Sequence, residues 1–175
     1  MFSDPEKNIE QFDLGKGSYV ADLGAGTGFY SFAAAKAVGP MGKVYAVDIQ
    51  KDLLEKLKNE ARNILRLMNI DIVWANLDVL GGTRLRDGSM DAVISANIFF
   101  QLHKKDETCL EIKRILKAGG RVLLVDWTSS FGNMGPQQSD VFTEEDAKKL
   151  FLKHGFKEDR TISAGAQHYG IIFRK

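Results

Sequence analysis

The stretch Val20-Ala21-Asp22-Leu23-Gly24-Ala25-Gly26-Thr27-Gly28 decides the reading of this chain. Ser18 to Leu23 form a short apolar run that suits a buried strand, the glycines follow at once, and Phe29 to Val38 read as a helix. Strand, glycine turn and helix in that order let the backbone bend tightly. They also let a ligand approach the helix amino terminus with no Cβ in the way. The spacing is G-x-G-x-G, whereas dinucleotide enzymes cradle a pyrophosphate with G-x-G-x-x-G. Asp22, just before the glycines, carries a charge that opposes a diphosphate and favours an ammonium or a sulfonium. The charge argument selects a cationic ligand.

Outward from that turn, Gly39-Pro40-Met41-Gly42 ends the helix and Lys43 to Val47 form a second strand closing on Asp48. Lys51 to Met68 place leucines and isoleucine near helical spacing, which predicts one amphipathic covering helix with a solvated basic face. Ile70 to Ala75 and Met90 to Ala96 read as the third and fourth strands, with too little room around Gly81-Gly82 for a helix between them. Asp106 to Lys117 read as a helix closed by Gly119-Gly120, and Arg121 to Trp127 as a fifth strand of nearly continuous apolar character. Strands alternating with helices predict a doubly wound α/β fold around a parallel sheet. After a helix from Glu144 to His154, Phe156 to Ile162 and His168 to Phe173 are strands separated only by Ser163 to Gln167. So short a connection cannot cross over, so the last strand runs antiparallel. The prediction is a seven-stranded sheet, six strands parallel and the carboxyl-terminal hairpin strand reversed. The only long irregular segment is Phe131 to Val141.

The 175 residues suit one domain, 1–175, with a core that needs no metal or disulfide staple. A formal net charge of +1 argues against a global field for nucleic acid. No apolar run approaches the length of a membrane span, and the first residues lack the order of a secretory signal, so a cytoplasmic protein with no membrane partner is expected. Cys109 is alone and has no histidine beside it, and no spacing of histidine, cysteine and acids suits a metal, so none is predicted.

The glycine segment resembles the first motif of class I S-adenosylmethionine-dependent methyltransferases, and the likeness runs through roughly residues 5 to 175. Met90-Asp91-Ala92-Val93-Ile94-Ser95-Ala96-Asn97 is similar to the fourth-strand motif of that family, and Arg114-Ile115-Leu116-Lys117-Ala118-Gly119-Gly120-Arg121 to its turn before strand five. The general type is the ubiquinone/menaquinone-biosynthesis-like branch of small-molecule methyltransferases, with a Rossmann-like sheet. The resemblance implies S-adenosylmethionine as cofactor, held by Asp22, Gly24, Ala25, Gly26, Gly28 and Asn97, with Asp48 at the ribose hydroxyls. It also implies that Ile49 packs on the adenine and that Asn76 and Leu77 meet its polar edge. Many relatives carry Gly-Asp where this chain has Ala75-Asn76, so either the Asn76 amide replaces that carboxylate or Asp78 takes its place.

Direct in-line transfer is the implied reaction, with the protein holding the acceptor against the methyl. Charge on sulfur dissipates as the methyl leaves, which suits an apolar surround. Tyr30, Phe99, Phe100 and Trp127, with Phe29, stand near the carboxyl ends of strands and are the candidates for the acceptor pocket. His103, after strand four, is the best-placed general base, while His154 reads as a helix cap and His168 as packing. Phe2 to Leu14 and Gly132-Asn133-Met134-Gly135-Pro136 are the only cover for the site, and both are short. A small-molecule acceptor is expected. A macromolecular acceptor, or a homo-oligomer that completes the mouth, stays open. The competing functions are a cofactor-binding module without turnover and a nicotinamide oxidoreductase, the latter disfavoured by the glycine spacing and Asp22.

Overall fold

The computed structural model describes residues 3–131 and 135–175. In chain order these form α1 (Pro5–Phe12), β1 (Tyr19–Leu23), α2 (Phe29–Val38), β2 (Lys43–Asp48) and α3 (Lys51–Asn59). There follow β3 (Ile70–Trp74), β4 (Met90–Ala96), α4 (Lys105–Ile115), β5 (Leu116–Trp127), α5 (Glu144–Lys153), β6 (Lys157–Ile162) and β7 (His168–Arg174). The strands of the described residues make one seven-stranded sheet in the order β3-β2-β1-β4-β5-β7-β6. Neighbours from β3 across to β5 pair parallel. β7 runs antiparallel to both β5 and β6, as the short 163–167 connection requires. The strand order reverses between β1 and β4, so a crevice opens where their carboxyl ends part.

Two apolar layers cover the sheet. One packs α1, α2 and α3 through Ile9, Phe12, Phe32 and Leu57 onto Val20, Val44 and Leu123. The other packs α4 and α5 through Ile112, Ile115 and Phe151 onto Val93, Leu124 and Phe173. Phe151 stacks on Phe173 with centroids 4.4 Å apart. A buried side chain of this size contributes about 1.5–3 kcal/mol through area removed from water.

Three elements differ from the sequence reading. The helix expected over 51–68 keeps α-geometry only to Asn59 and then widens into a π-turn, Glu60–Ile64, with Arg66 in the left-handed region at φ 59°. Beyond the buried Ala61, Leu65 and Leu67 pack half-buried against the core from this non-α geometry, while Ile64 and Met68 stand 73% and 71% exposed. The helix expected over 106–117 stops at Ile115, because Leu116 already pairs with Met90. Between Leu116 and Arg121 the register slips, and Gly119-Gly120 form that bulge instead of a helix cap. α1 was not predicted as a helix, although Pro5 at its start and the Asp4 carboxylate accepting from Lys7 N–H are ordinary start signals.

Candidate active site

The crevice at the carboxyl edge of β1, β2 and β4 has a volume of about 600 Å³, within the usual range of small-ligand sites. Its floor is the turn after β1. Gly24, Gly26 and Gly28 all hold positive φ, at 77°, 54° and 95°. The Gly24 and Ala25 N–H groups donate to the Val47 carbonyl at 2.8 and 3.0 Å, which ties the turn to β2. Asp48 completes the tie: its Oδ2 accepts from Gly26 N–H and its Oδ1 from Gln50 N–H, each at 2.9 Å.

Each glycine has a distinct reason. A Cβ on Gly24 would lie 2.8 Å from Ile98 Cγ1, so the turn and the loop after β4 close the crevice wall together. A Cβ on Gly26 would meet the Gly24 carbonyl at 3.9 Å, an ordinary contact, so its positive φ is what favours glycine there. Gly28 does not line the crevice; a Cβ there would meet Leu57 at 2.6 Å and Phe32 at 2.7 Å, so this glycine lets α2 pack on α3.

Asp22 lies at the end of β1 with 1% of its surface exposed, yet its side chain borders the crevice. Burial drives its carboxyl up to about 7; the Ser31 hydroxyl bonded to it pulls the other way and the nearby Asp48 adds to the rise. Asn97, in the left-handed region at φ 57°, also lines the crevice, and among the described residues its Oδ1 is buried without a hydrogen-bond partner. The described lining holds two carboxylates, Asp22 and Asp48, and no lysine, arginine or histidine.

Ile49 is 57% exposed and borders both this crevice and a neighbouring depression that holds Trp74, Ala75 and Asn76. The Asn76 Oδ1 accepts from Asp78 N–H, and the Asp78 carboxylate accepts from Lys104 N–H. Leu77 is buried in the α4 layer, where its carbonyl accepts from the Thr108 hydroxyl.

The aromatic residues separate. Phe29 and Tyr30 line the crevice. Phe99 does not: it is fully buried and stacks on Phe142 at 5.2 Å, because the turn Phe99–Gln101 directs it into the core. Phe100 is half-buried against the same layer. Trp127, half-buried, packs against His168 with the rings tilted by 40° and their centroids 4.3 Å apart. His103 is exposed and outside the crevice, and His154 bonds Asp106 at 2.7 Å. Of the expected cover, residues 2 and 132–134 lie outside the described residues. The sequence reading missed Gln50, Ile98 and Gln101, all of which line the crevice, and held Ser3 only as part of the cover segment Phe2 to Leu14. Gln50, next to Ile49, and Ile98, next to Asn97, carried a positional signal.

Fold and crevice together define a class: a Rossmann-like α/β protein with a ligand site at the reversal of strand order. A methyltransferase domain family model matches residues 14–165. The chain is 33% identical over 113 residues to the ubiquinone/menaquinone biosynthesis C-methyltransferase UbiE of Haemophilus ducreyi, covering 65% of this chain and 42% of that one. To the same-named enzyme of Hahella chejuensis it is 29% identical over 135 residues, 77% of this chain and 53% of that one. The solved structure of an Aquifex aeolicus SAM-dependent methyltransferase superposes with a TM-score of 0.88 at 28% identity, covering 99% of this chain and 90% of that one. The chain belongs to the methyltransferase domain family, in its class I, S-adenosylmethionine-dependent group. It spans about half the length of the curated relatives it matches.

Proposed function

We propose that this chain moves the methyl group of S-adenosylmethionine to a small-molecule acceptor, with residues 1–175 acting as one domain. The observation that carries this reading is the charge of the crevice, where Asp22 and Asp48 stand with no cation in the described lining. Such a site attracts a ligand bearing an ammonium and a sulfonium, and it repels a diphosphate.

The residues suit that cofactor. Asp22 and the unpartnered Asn97 Oδ1 accept from the ammonium. Asp48 keeps acceptor capacity on both oxygens after its two backbone bonds, enough for the ribose hydroxyls. Ile49 offers an apolar face to the adenine, and Asn76 lines the depression adjoining Ile49, which the buried Leu77 does not. Gly24, Ala25 and Gly26 keep the floor low enough for close approach.

When bound, the cofactor supplies a methyl on positively charged sulfur, open to displacement by a nucleophile. The chain's own share is to hold the acceptor in line and to shield the reacting atoms from water. Phe29 serves the acceptor side of the crevice, with Phe100 and Trp127 farther along the same sheet edge. No residue is assigned as base, since His103 lies outside the crevice. A small acceptor is supported by the crevice volume and by the quinone-biosynthesis names of the relatives.

Calorimetric titration with S-adenosylhomocysteine and NADH tests the cofactor. The expected result is binding of the first alone, and tight NADH binding without the other would overturn the proposal. Incubation of fractionated cell extract with labelled methyl donor then tests turnover, with label expected in the small-molecule fraction.

A further inference from the structure

A polar cluster closes the crevice where α1 meets α2. Asn8, 1% exposed, donates from Nδ2 to Tyr30 Oη at 2.7 Å and to Ser3 Oγ at 2.9 Å. The two hydroxyl oxygens are 3.0 Å apart. Both amide hydrogens of Asn8 are thereby used. The hydroxyls bring one hydrogen each, and only one fits on the edge between them. The other has no acceptor inside the cluster. Ser3 and Tyr30 border the crevice and Asn8 does not, so the spare O–H is directed at whatever the crevice holds. Burial, together with the nearby charges of Asp22 and Asp4, raises the Tyr30 phenol above its ordinary value against the bonds from Ser3 and Asn8, so it acts as a donor and not as a base.

The second observation is the missing cation. An α-amino acid whose ammonium sits at Asp22 carries a carboxylate on the same carbon, and the described lining offers it no lysine, arginine or histidine. Tyr30 borders the same crevice as Asp22, whose charge acts on the phenol, so the spare hydrogen and the ammonium position share one space. Neutral donors have a physical advantage there, because a guanidinium would pair with Asp22 and cancel the field that attracts the sulfonium.

On the methyltransferase reading above, we propose that the spare O–H of the Ser3–Tyr30 pair, oriented by the buried Asn8 amide, binds the carboxylate of the cofactor's amino-acid end. Asn8 is then a positioning residue, and α1 is a working part of the cofactor site.

The test is calorimetric titration of wild type and of the double variant Ser3→Ala/Tyr30→Phe with two ligands. One is S-adenosylhomocysteine; the other is its decarboxylated analogue, which keeps the amine. The double variant is expected to bind S-adenosylhomocysteine about tenfold more weakly, the loss of one hydrogen bond to a charged group, and the analogue within about twofold of wild type. Retained analogue binding also reports that the variant is folded. Equal losses for both ligands, or no loss for either, overturn the carboxylate site. Failure of wild type to bind S-adenosylhomocysteine at all overturns instead the cofactor reading on which it rests.

Discussion

The Ser31 hydroxyl donates a 2.6 Å hydrogen bond to the Asp22 carboxylate across the first turn of α2, in a place where Asp22 is 1% exposed. Ser31 holds one oxygen, but burial still drives the group up to about 7. A cationic ligand favours the ionised form, so binding expels a proton wherever the free protein holds one. S-adenosylhomocysteine affinity is therefore expected to rise with pH up to about 7 and to level off above it. Calorimetry in buffers of different ionisation enthalpy checks this: proton release is expected at about pH 6 and fades by about pH 8. A pH-independent affinity would detach Asp22 from the ligand.

Asp48 has two tasks, since it anchors Gly26 and Gln50 N–H and faces the proposed ribose position. Asp48→Ala is expected to weaken S-adenosylhomocysteine binding by about 1–3 kcal/mol through lost hydrogen bonds. Titration of the variant measures it, and unchanged affinity removes Asp48 from the site.

The β3–β4 connection has no helix, and a buried ion pair holds it instead. Glu111, 0% exposed, accepts from Gly81 N–H at 2.7 Å, from Thr83, and from Arg114 Nε at 2.9 Å and Nη2 at 2.8 Å. Arg114 also donates to the Leu85 carbonyl and to Asp87. Glu111→Leu leaves the Arg114 charge without its main partner and is expected to cost about 3–5 kcal/mol, read by urea unfolding. Burial pushes the Glu111 carboxyl up, but Arg114, Thr83 and Gly81 hold it below its ordinary value. Its contribution is thus present above the unfolded carboxylate range and lost as pH falls through the folded value. The gap between wild type and variant should narrow in acid.

Asp126 has the opposite sign. It is 0% exposed, accepts from Trp127 N–H at 2.9 Å, and among the described residues its Oδ2 has no partner. Burial lifts it to about 7 against the backbone amides of Trp127, Phe100 and Phe99. Its cost to stability therefore grows as pH rises from the ordinary carboxylate range to about 7 and is constant above. Asp126→Asn is expected to raise stability by about 1–3 kcal/mol near pH 8 and to change nothing near pH 4. Urea midpoints at the two pH values decide it.

The architecture was legible because its signals are local. Continuous apolarity at Val122 to Val125 marks a strand buried on both faces, and five residues from Ser163 to Gln167 cannot cross a sheet. The weaker readings failed where a long-range partner decides. Leu116 is a strand residue because Met90 lies opposite it, and no periodicity within 106–117 reports that. Phe99 reads as a residue at the edge of a ligand site, but Phe142, far along the chain, takes it into the core.

By itself the sequence determined the order of the seven strands and of the helices after α1, the reversed last strand, and the pairing of an acid with a glycine turn that argues for a cationic ligand. The tertiary structure alone decided which side chains line the crevice. Ser3, Asn8 and Tyr30 form one donor cluster only because α1 packs on α2. The reason is physical: pattern along a chain reports that a residue is hidden from water, whereas hydrogen bonds between distant residues depend on distances that only packing sets.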